Sequence, residues 1–321
     1  MQFLYKKYFS FVYKYYLKKC IWCGKIIIEK SFEVTDMKIT EILERGRRTL
    51  SFEVFPPKRA ENFDSVLSAA EKIAALSPDY MSVTYGAGGG TSKYTADIAS
   101  RIESFGITAL AHLTCVSSSR DTVRAVLSDL RARKIDNILA LRGDIPEGFD
   151  RASAEYKYAS ELIGEIREFG GFCIGGACYP EGHPESLSRE ADLAALREKV
   201  ECGCQFLTTQ MFFDNGVFFR FAEELSALGV SVPQVAGIMP ITSAAQVEKM
   251  IKFSGNALPA ELCRIIDRYG ADNESMRQAG IDYASRQIRE IYERGFKFAH
   301  VYSMNKPQVA ADIKKNLEFM L

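Results

Sequence analysis

From residue 49 onward, short apolar runs alternate with longer stretches whose apolar residues recur every three to four positions. That is the pattern of buried strands followed by amphipathic helices. The runs predict strands at Thr49–Phe55, Tyr80–Tyr85 and Thr108–Val116, and a fourth ending in Leu139-Ala140-Leu141-Arg142-Gly143-Asp144-Ile145-Pro146. Four more follow at Phe172–Tyr179, Phe206–Phe213, Pro233–Met239 and Phe298–Met304. Helices are predicted at Glu61–Leu76, Ser92–Phe105 and Ser119–Lys134, and after each of strands five to seven. The pair Pro259–Tyr269 and Glu274–Arg294 precedes strand eight, and a closing helix reaches Leu321. Alternating strand and helix units imply parallel pairing. Eight of them in about 270 residues match an α/β fold of the (β/α)8 TIM-type barrel, typically about 250 residues; an open doubly wound sheet is the alternative.

A barrel puts reactive groups where strands end. Polar residues collect there: Thr84 and Tyr85, His112, Arg142 and Asp144, Tyr179, Gln210, and Tyr302 with Lys306. In Leu50-Ser51-Phe52-Glu53-Val54, alternation sends Phe52 and Val54 to one face and Ser51 with Glu53 to the other. If the first face meets the helices, Glu53 points into the barrel. Loss of solvation would then raise its proton affinity and suit it to general acid work; a glutamate paired with an interior cation is the equal alternative.

Other features are weaker. Gly86-Ala87-Gly88-Gly89-Gly90-Thr91 exposes backbone but fits neither phosphate-binding fingerprint. His112, His183 and His300 lack metal-ligand spacing and are expected to be neutral hydrogen-bonding groups. Tyr179-Pro180-Glu181-Gly182-His183-Pro184-Glu185 is a rigid turn leading to a helix on which Asp192 and Lys199, two turns apart, share a face.

Composition alters this picture little. Lysine plus arginine equals aspartate plus glutamate at 41 each in 321 residues, so no net field points to nucleic acid. The charge is unevenly placed: residues 1–36 hold seven lysines against Glu29, Glu33 and Asp36, with the single tryptophan, Trp22. Lysines interrupt this stretch too often for a membrane span, and it lacks a secretory cleavage pattern. It reads as a peripheral basic, aromatic extension, with a basic amphipathic surface helix as the alternative. Met37 opens the folded body, a single domain over 37–321. The Cys20–Cys23 and Cys202–Cys204 pairs fit no zinc format, so no metal is expected, and the cytoplasm is the expected compartment.

In order, SFEVFPP, MSVTYGAGGG, AHLTC, ALRGD, YPEGHPE, TTQMFFD and GIMP resemble the flavin-containing catalytic domain of the methylenetetrahydrofolate reductases, from about Thr49 to the C-terminus. The resemblance implies a barrel that binds FAD noncovalently and takes a hydride from NADH or NADPH. It reduces 5,10-methylenetetrahydrofolate to 5-methyltetrahydrofolate in a ping-pong cycle, within one-carbon metabolism and methionine biosynthesis. Carried over by motif, Glu53 is the general acid and Asp144 a carboxylate facing the reacting folate. The implied FAD contacts are Thr84, Tyr85, Ala87, His112, Arg142, Gly143, Asp144, Tyr158, Ala159, Tyr179, His183, Asp192 and Lys199. Gln210, Gln246 and Lys306 are the implied substrate contacts.

There are departures. Lys306 stands where bacterial members commonly carry arginine, replacing a bidentate partner for the folate tail by a point charge. Met250 stands where an aromatic can pack on the nicotinamide, and Ala195 and Glu198 replace polar or basic neighbours of the FAD phosphates. No regulatory domain, and so no control by S-adenosylmethionine, is expected; symmetric self-association is. Two other readings are weighed: a barrel lyase with a phosphate site, for which Gly237-Ile238-Met239-Pro240 is a poor loop, and a noncatalytic flavin-binding or assembly subunit, which has no need of both Glu53 and Asp144.

Overall fold

A computed structural model describes residues 37–57, 59–85, 92–146, 148–247 and 258–321. The predicted extension 1–36, Ala87 with the rest of its glycine-rich loop, and Met250 lie outside them. The strands are β1 Thr49–Val54, β2 Met81–Val83, β3 Ala109–Thr114, β4 Asn137–Leu141, β5 Cys173–Cys178, β6 Phe206–Thr209, β7 Gln234–Ile238 and β8 Phe298–Val301. Each pairs in parallel with the next, and β8 pairs with β1, so the sheet is a closed barrel and not an open doubly wound sheet.

The two-residue period of β1 decides what faces where. Phe52 and Val54 are fully buried among helix residues such as Ile73 and Ile102, whereas Ser51 and Glu53 turn toward the barrel axis, beside His300 and Ser82. Each large aliphatic or aromatic side chain buried in the outer layer contributes about 1.5–3 kcal/mol. Several loops from strand to helix end in a capping oxygen: Ser119 accepts from the Thr122 N–H, Ser188 from Ala191 and Asp214 from Gly216. These caps satisfy otherwise orphaned donors at the end of the barrel where the site lies.

Several strands are shorter than the pattern-based expectation: β6 ends at Thr209 and not Phe213, β8 at Val301 and not Met304, and β3 is Ala109–Thr114 within the expected Thr108–Val116. β2 spans three residues because Thr84 and Tyr85 leave the ladder, although the Thr84 N–H still bonds the Val54 carbonyl at 3.1 Å. The closing helix is Pro307–Leu317 and stops short of Leu321. An unanticipated short helix, Ile39–Glu44, closes the opposite end: Ile39, Ile42 and Leu43 are buried against Tyr80, Leu110, Leu139, Phe206 and Val235. Asn137 holds it there, accepting from the Ile39 N–H at 2.8 Å and donating to the Met37 carbonyl at 3.1 Å.

Candidate active site

Closing the barrel places β8 beside β1 with Ser51 opposite His300, and β1 beside β2 with Glu53 opposite Ser82. A hydrogen-bonded row results. Ser51 Oγ lies 2.7 Å from His300 Nδ1, His300 Nε2 lies 3.0 Å from Ser82 Oγ, and Ser82 donates to Glu53 Oε2 at 3.4 Å. On the other side, His112 Nε2 stands 3.6 Å from the same carboxyl oxygen.

Among the described residues no cation neutralises this cluster, and burial sets its protonation. Desolvation pushes the Glu53 carboxyl up to about 8, with the Ser82 hydrogen bond opposing weakly. The same loss of water pushes His112 and His300 down to about 3, His300 also feeling His112. At neutral pH both rings are therefore neutral, and Glu53 holds its proton. The 3.6 Å contact to His112 is thus not an ion pair, and it is too long for a hydrogen bond. A neutral His300 needs one donor and one acceptor partner; Nε2–H toward Ser82 with Nδ1 facing the Ser51 hydroxyl meets both needs.

The ends of β4 and β5 carry the polar rim. Gly143 has φ +87°, and a Cβ there would stand 2.9 Å from Thr114 Cβ, so this turn requires glycine. The Arg142 carbonyl accepts from the Cys115 and Val116 N–H groups, and its guanidinium is held by both oxygens of Glu185 at 2.7 Å. Asp144 is exposed at the rim. Tyr179 and His183 pack edge to face at 4.6 Å; burial, then Arg142, lowers the imidazole pKa. Lys199 donates to the Ala177 carbonyl at 2.8 Å, and burial lowers its pKa as well. Asp192 is buried, accepts from Ser186 and stands 3.6 Å from Arg189, with Oδ2 free of hydrogen bonds. Tyr158, 60 % exposed, and the buried Ala159 open helix Ala159–Phe169. Ala195 and Glu198 are exposed on helix Arg189–Cys202.

The far side of the mouth is more tightly bound to itself than its residue types suggest. Gln210 accepts from the Met211 N–H, Gln246 accepts from both the N–H and the hydroxyl of Thr242, and Lys306 donates to that hydroxyl at 2.8 Å. Tyr302 crosses the barrel and donates to the Thr209 carbonyl at 2.6 Å. The sequence pattern singles out Glu53, His112 and Tyr302, whereas Ser51, Ser82 and His300 become neighbours of the acid only through the strand register. The shared face of Ser51 and Glu53 was the available signal. Among the described residues no His, Cys, Asp and Glu group could hold a metal, and no helix is long and apolar enough to cross a membrane.

A closed parallel barrel with a proton-holding carboxyl inside its mouth and polar groups around the rim has the layout of a catalytic (β/α)8 domain. The sequence matches the methylenetetrahydrofolate reductase family over residues 38–318, and the chain belongs to that family. It is 32 % identical over 279 residues to 5,10-methylenetetrahydrofolate reductase of Pectobacterium carotovorum subsp. carotovorum, covering 87 % of this chain and 92 % of that one. It is also 32 % identical over 295 residues to methylenetetrahydrofolate reductase (NADH) 1 of Arabidopsis thaliana, where it spans 50 % of the relative's length. Among solved structures, a Clostridium thermocellum protein described as binding two copies of 5-methyl-5,6,7,8-tetrahydrofolic acid shares the fold, with TM-score 0.59 at 16 % identity, over 88 % of this chain and 99 % of that one.

Proposed function

We propose that the protein reduces 5,10-methylenetetrahydrofolate to 5-methyltetrahydrofolate with NADH or NADPH through bound FAD, the two substrates taking turns at one site. The observation that carries the reading is Glu53, largely enclosed at the mouth of a barrel of this family and kept protonated at neutral pH. Opening the folate's five-membered ring requires a proton on the departing nitrogen, and Glu53 supplies it. The ring carbon left behind is cationic, and Asp144, a carboxylate on the exposed rim, stabilises that charge.

FAD, when bound, would supply the hydride-carrying chemistry between the nicotinamide and that carbon. The residues present suit a dinucleotide. His112 Nε2 and Asp192 Oδ2 are buried without hydrogen-bond partners, Lys199 is half-buried with a carbonyl as its hydrogen-bond partner, and Tyr158 offers an exposed ring. Thr84, Tyr85, Arg142, Gly143, Ala159, Tyr179 and His183 complete the proposed cradle, with Ala87 from its loop; Arg142 and Lys199 would face the pyrophosphate. Gln210, Gln246 and Lys306 would hold folate or nicotinamide. Cytoplasmic location and self-association complete the reading.

The test is direct. Purified protein is expected to be yellow, and its flavin to be bleached by NADH or NADPH and recoloured by methylenetetrahydrofolate with formation of 5-methyltetrahydrofolate. Colourless protein that FAD does not reconstitute would sink the reading. A pH dependence follows from the acid. The recolouring step needs protonated Glu53, so its rate is expected to hold from pH 6 to about 8 and then fall about tenfold per pH unit, whereas bleaching lacks this limb. Stopped-flow traces of the two half-reactions between pH 6 and 10 would separate them, and a recolouring rate still level at pH 9.5 would remove Glu53 from the role.

A further inference from the structure

After β8 the chain enters a turn in which two successive non-glycine residues, Met304 at φ +54° and Asn305 at φ +52°, are left-handed. Side chains rarely adopt this conformation, and for methionine it is unfavourable, so something must hold the turn. Besides the Lys306 N–H bond to the Ser303 carbonyl, three side-chain hydrogen bonds reach the end of β1 and Phe55 just beyond it. Ser303 Oγ donates to the Glu53 carbonyl at 2.8 Å, Asn305 Nδ2 donates to the Phe55 carbonyl at 2.9 Å, and Asn305 Oδ1 accepts from the Phe55 N–H at 3.0 Å. The next residue is Lys306, tied to Thr242 at 2.8 Å. Behind the turn lies a cavity of about 340 Å³ bordered by Phe55, Val66, Ala69 and Asn305 itself. On that side the Asn305 side chain borders open space, so its hold on the turn rests on its bonds to Phe55.

We propose that Asn305 is a positioning residue, clamping the end of the strand that carries Glu53 to the turn that carries Lys306. The clamp sets the spacing between the proton donor, which meets the reacting ring of the folate, and the cation that meets its carboxylate tail. It rests on the reading of methylenetetrahydrofolate as substrate. Asparagine suits the place because it tolerates the left-handed region and offers a donor and an acceptor to one peptide unit.

The test uses flavin-loaded enzyme bearing Asn305→Gly, which keeps the left-handed turn free of strain but has no side chain to clamp, and Asn305→Asp, which keeps the acceptor for Phe55 N–H. Recolouring by methylenetetrahydrofolate is expected to slow about tenfold or more in Asn305→Gly and less in Asn305→Asp. Bleaching by NADH is expected to stay within twofold, and the preference for folate with its glutamate tail over tail-less substrate to shrink. Recolouring within twofold of the parent, or equal loss in both half-reactions, overturns the clamp. If the parent enzyme is not recoloured by methylenetetrahydrofolate, the substrate reading fails instead. The clamp is then judged by the carbon-13 carboxyl titration of Glu53, which looser packing should admit to water and lower in Asn305→Gly. An unmoved titration overturns it.

Discussion

Glu53→Gln is expected to abolish recolouring of the flavin by methylenetetrahydrofolate, by a factor of about 10² to 10⁴, while bleaching by NADH or NADPH survives. Glutamine keeps the shape and can still accept from Ser82, so the defect isolates the missing proton. Equal slowing of both half-reactions would show that Glu53 acts in some other way. The same substitution carries an opposite expectation for stability. Folded Glu53 titrates near 8 and an unfolded glutamate near 4.5, so between those values the folded chain binds more protons. Stability therefore falls as pH rises through that window. Glutamine has no charge to bury. The variant is expected to melt higher than the parent, the gap opening from pH 4.5 and levelling above 8. At about 1.4 kcal/mol per pH unit this amounts to a few kcal/mol. Melting curves that ran parallel from pH 5 to 9 would contradict the burial argument.

Gly237→Ala is expected to be the most damaging glycine-to-alanine change among the described strands. A Cβ at this position on β7 would lie inside contact distance of the Thr209 carbonyl oxygen and 2.5 Å from the Tyr302 hydroxyl. Overpacking of this kind costs about 1–3 kcal/mol, and the displaced Tyr302 hydroxyl, parted from Thr209, adds a similar amount. A fall in melting temperature of roughly 10 °C is expected. Combining Gly237→Ala with Tyr302→Phe should restore little, because the Thr209 backbone cannot retreat. Full recovery in the double variant would place the whole clash on the hydroxyl.

Much of this architecture is written locally. The eight strands, and the sharing of one strand face by Ser51 and Glu53, follow from periods of two and 3.6 that each segment carries within itself; that this face is the inner one is settled by the barrel. What was not legible depends on closure. His300 meets Ser51 across 249 residues because the β8–β1 register sets them opposite, and nothing in either segment encodes that shear. The same holds for the carboxylate that engages Arg142: Glu185, on the next loop, looked like one more charge in a turn. Helix Ile39–Glu44 escaped notice because its six residues are too few to show a period. Lys306 stood out as a cation, but its bond to Thr242 depends on how two loops approach each other.

That short helix has a consequence for the chemistry at the other end. With Ile39, Ile42 and Leu43 stopping its base, the described residues close the barrel at that end, and in the proposed reaction solvent would reach Glu53 from the mouth, where the substrate would enter. A ligand seated there would cork the barrel. If Glu53 is the acid, it would then have only the proton it already holds, so each visit would allow one protonation and departure of the product would be the step that lets the acid recharge.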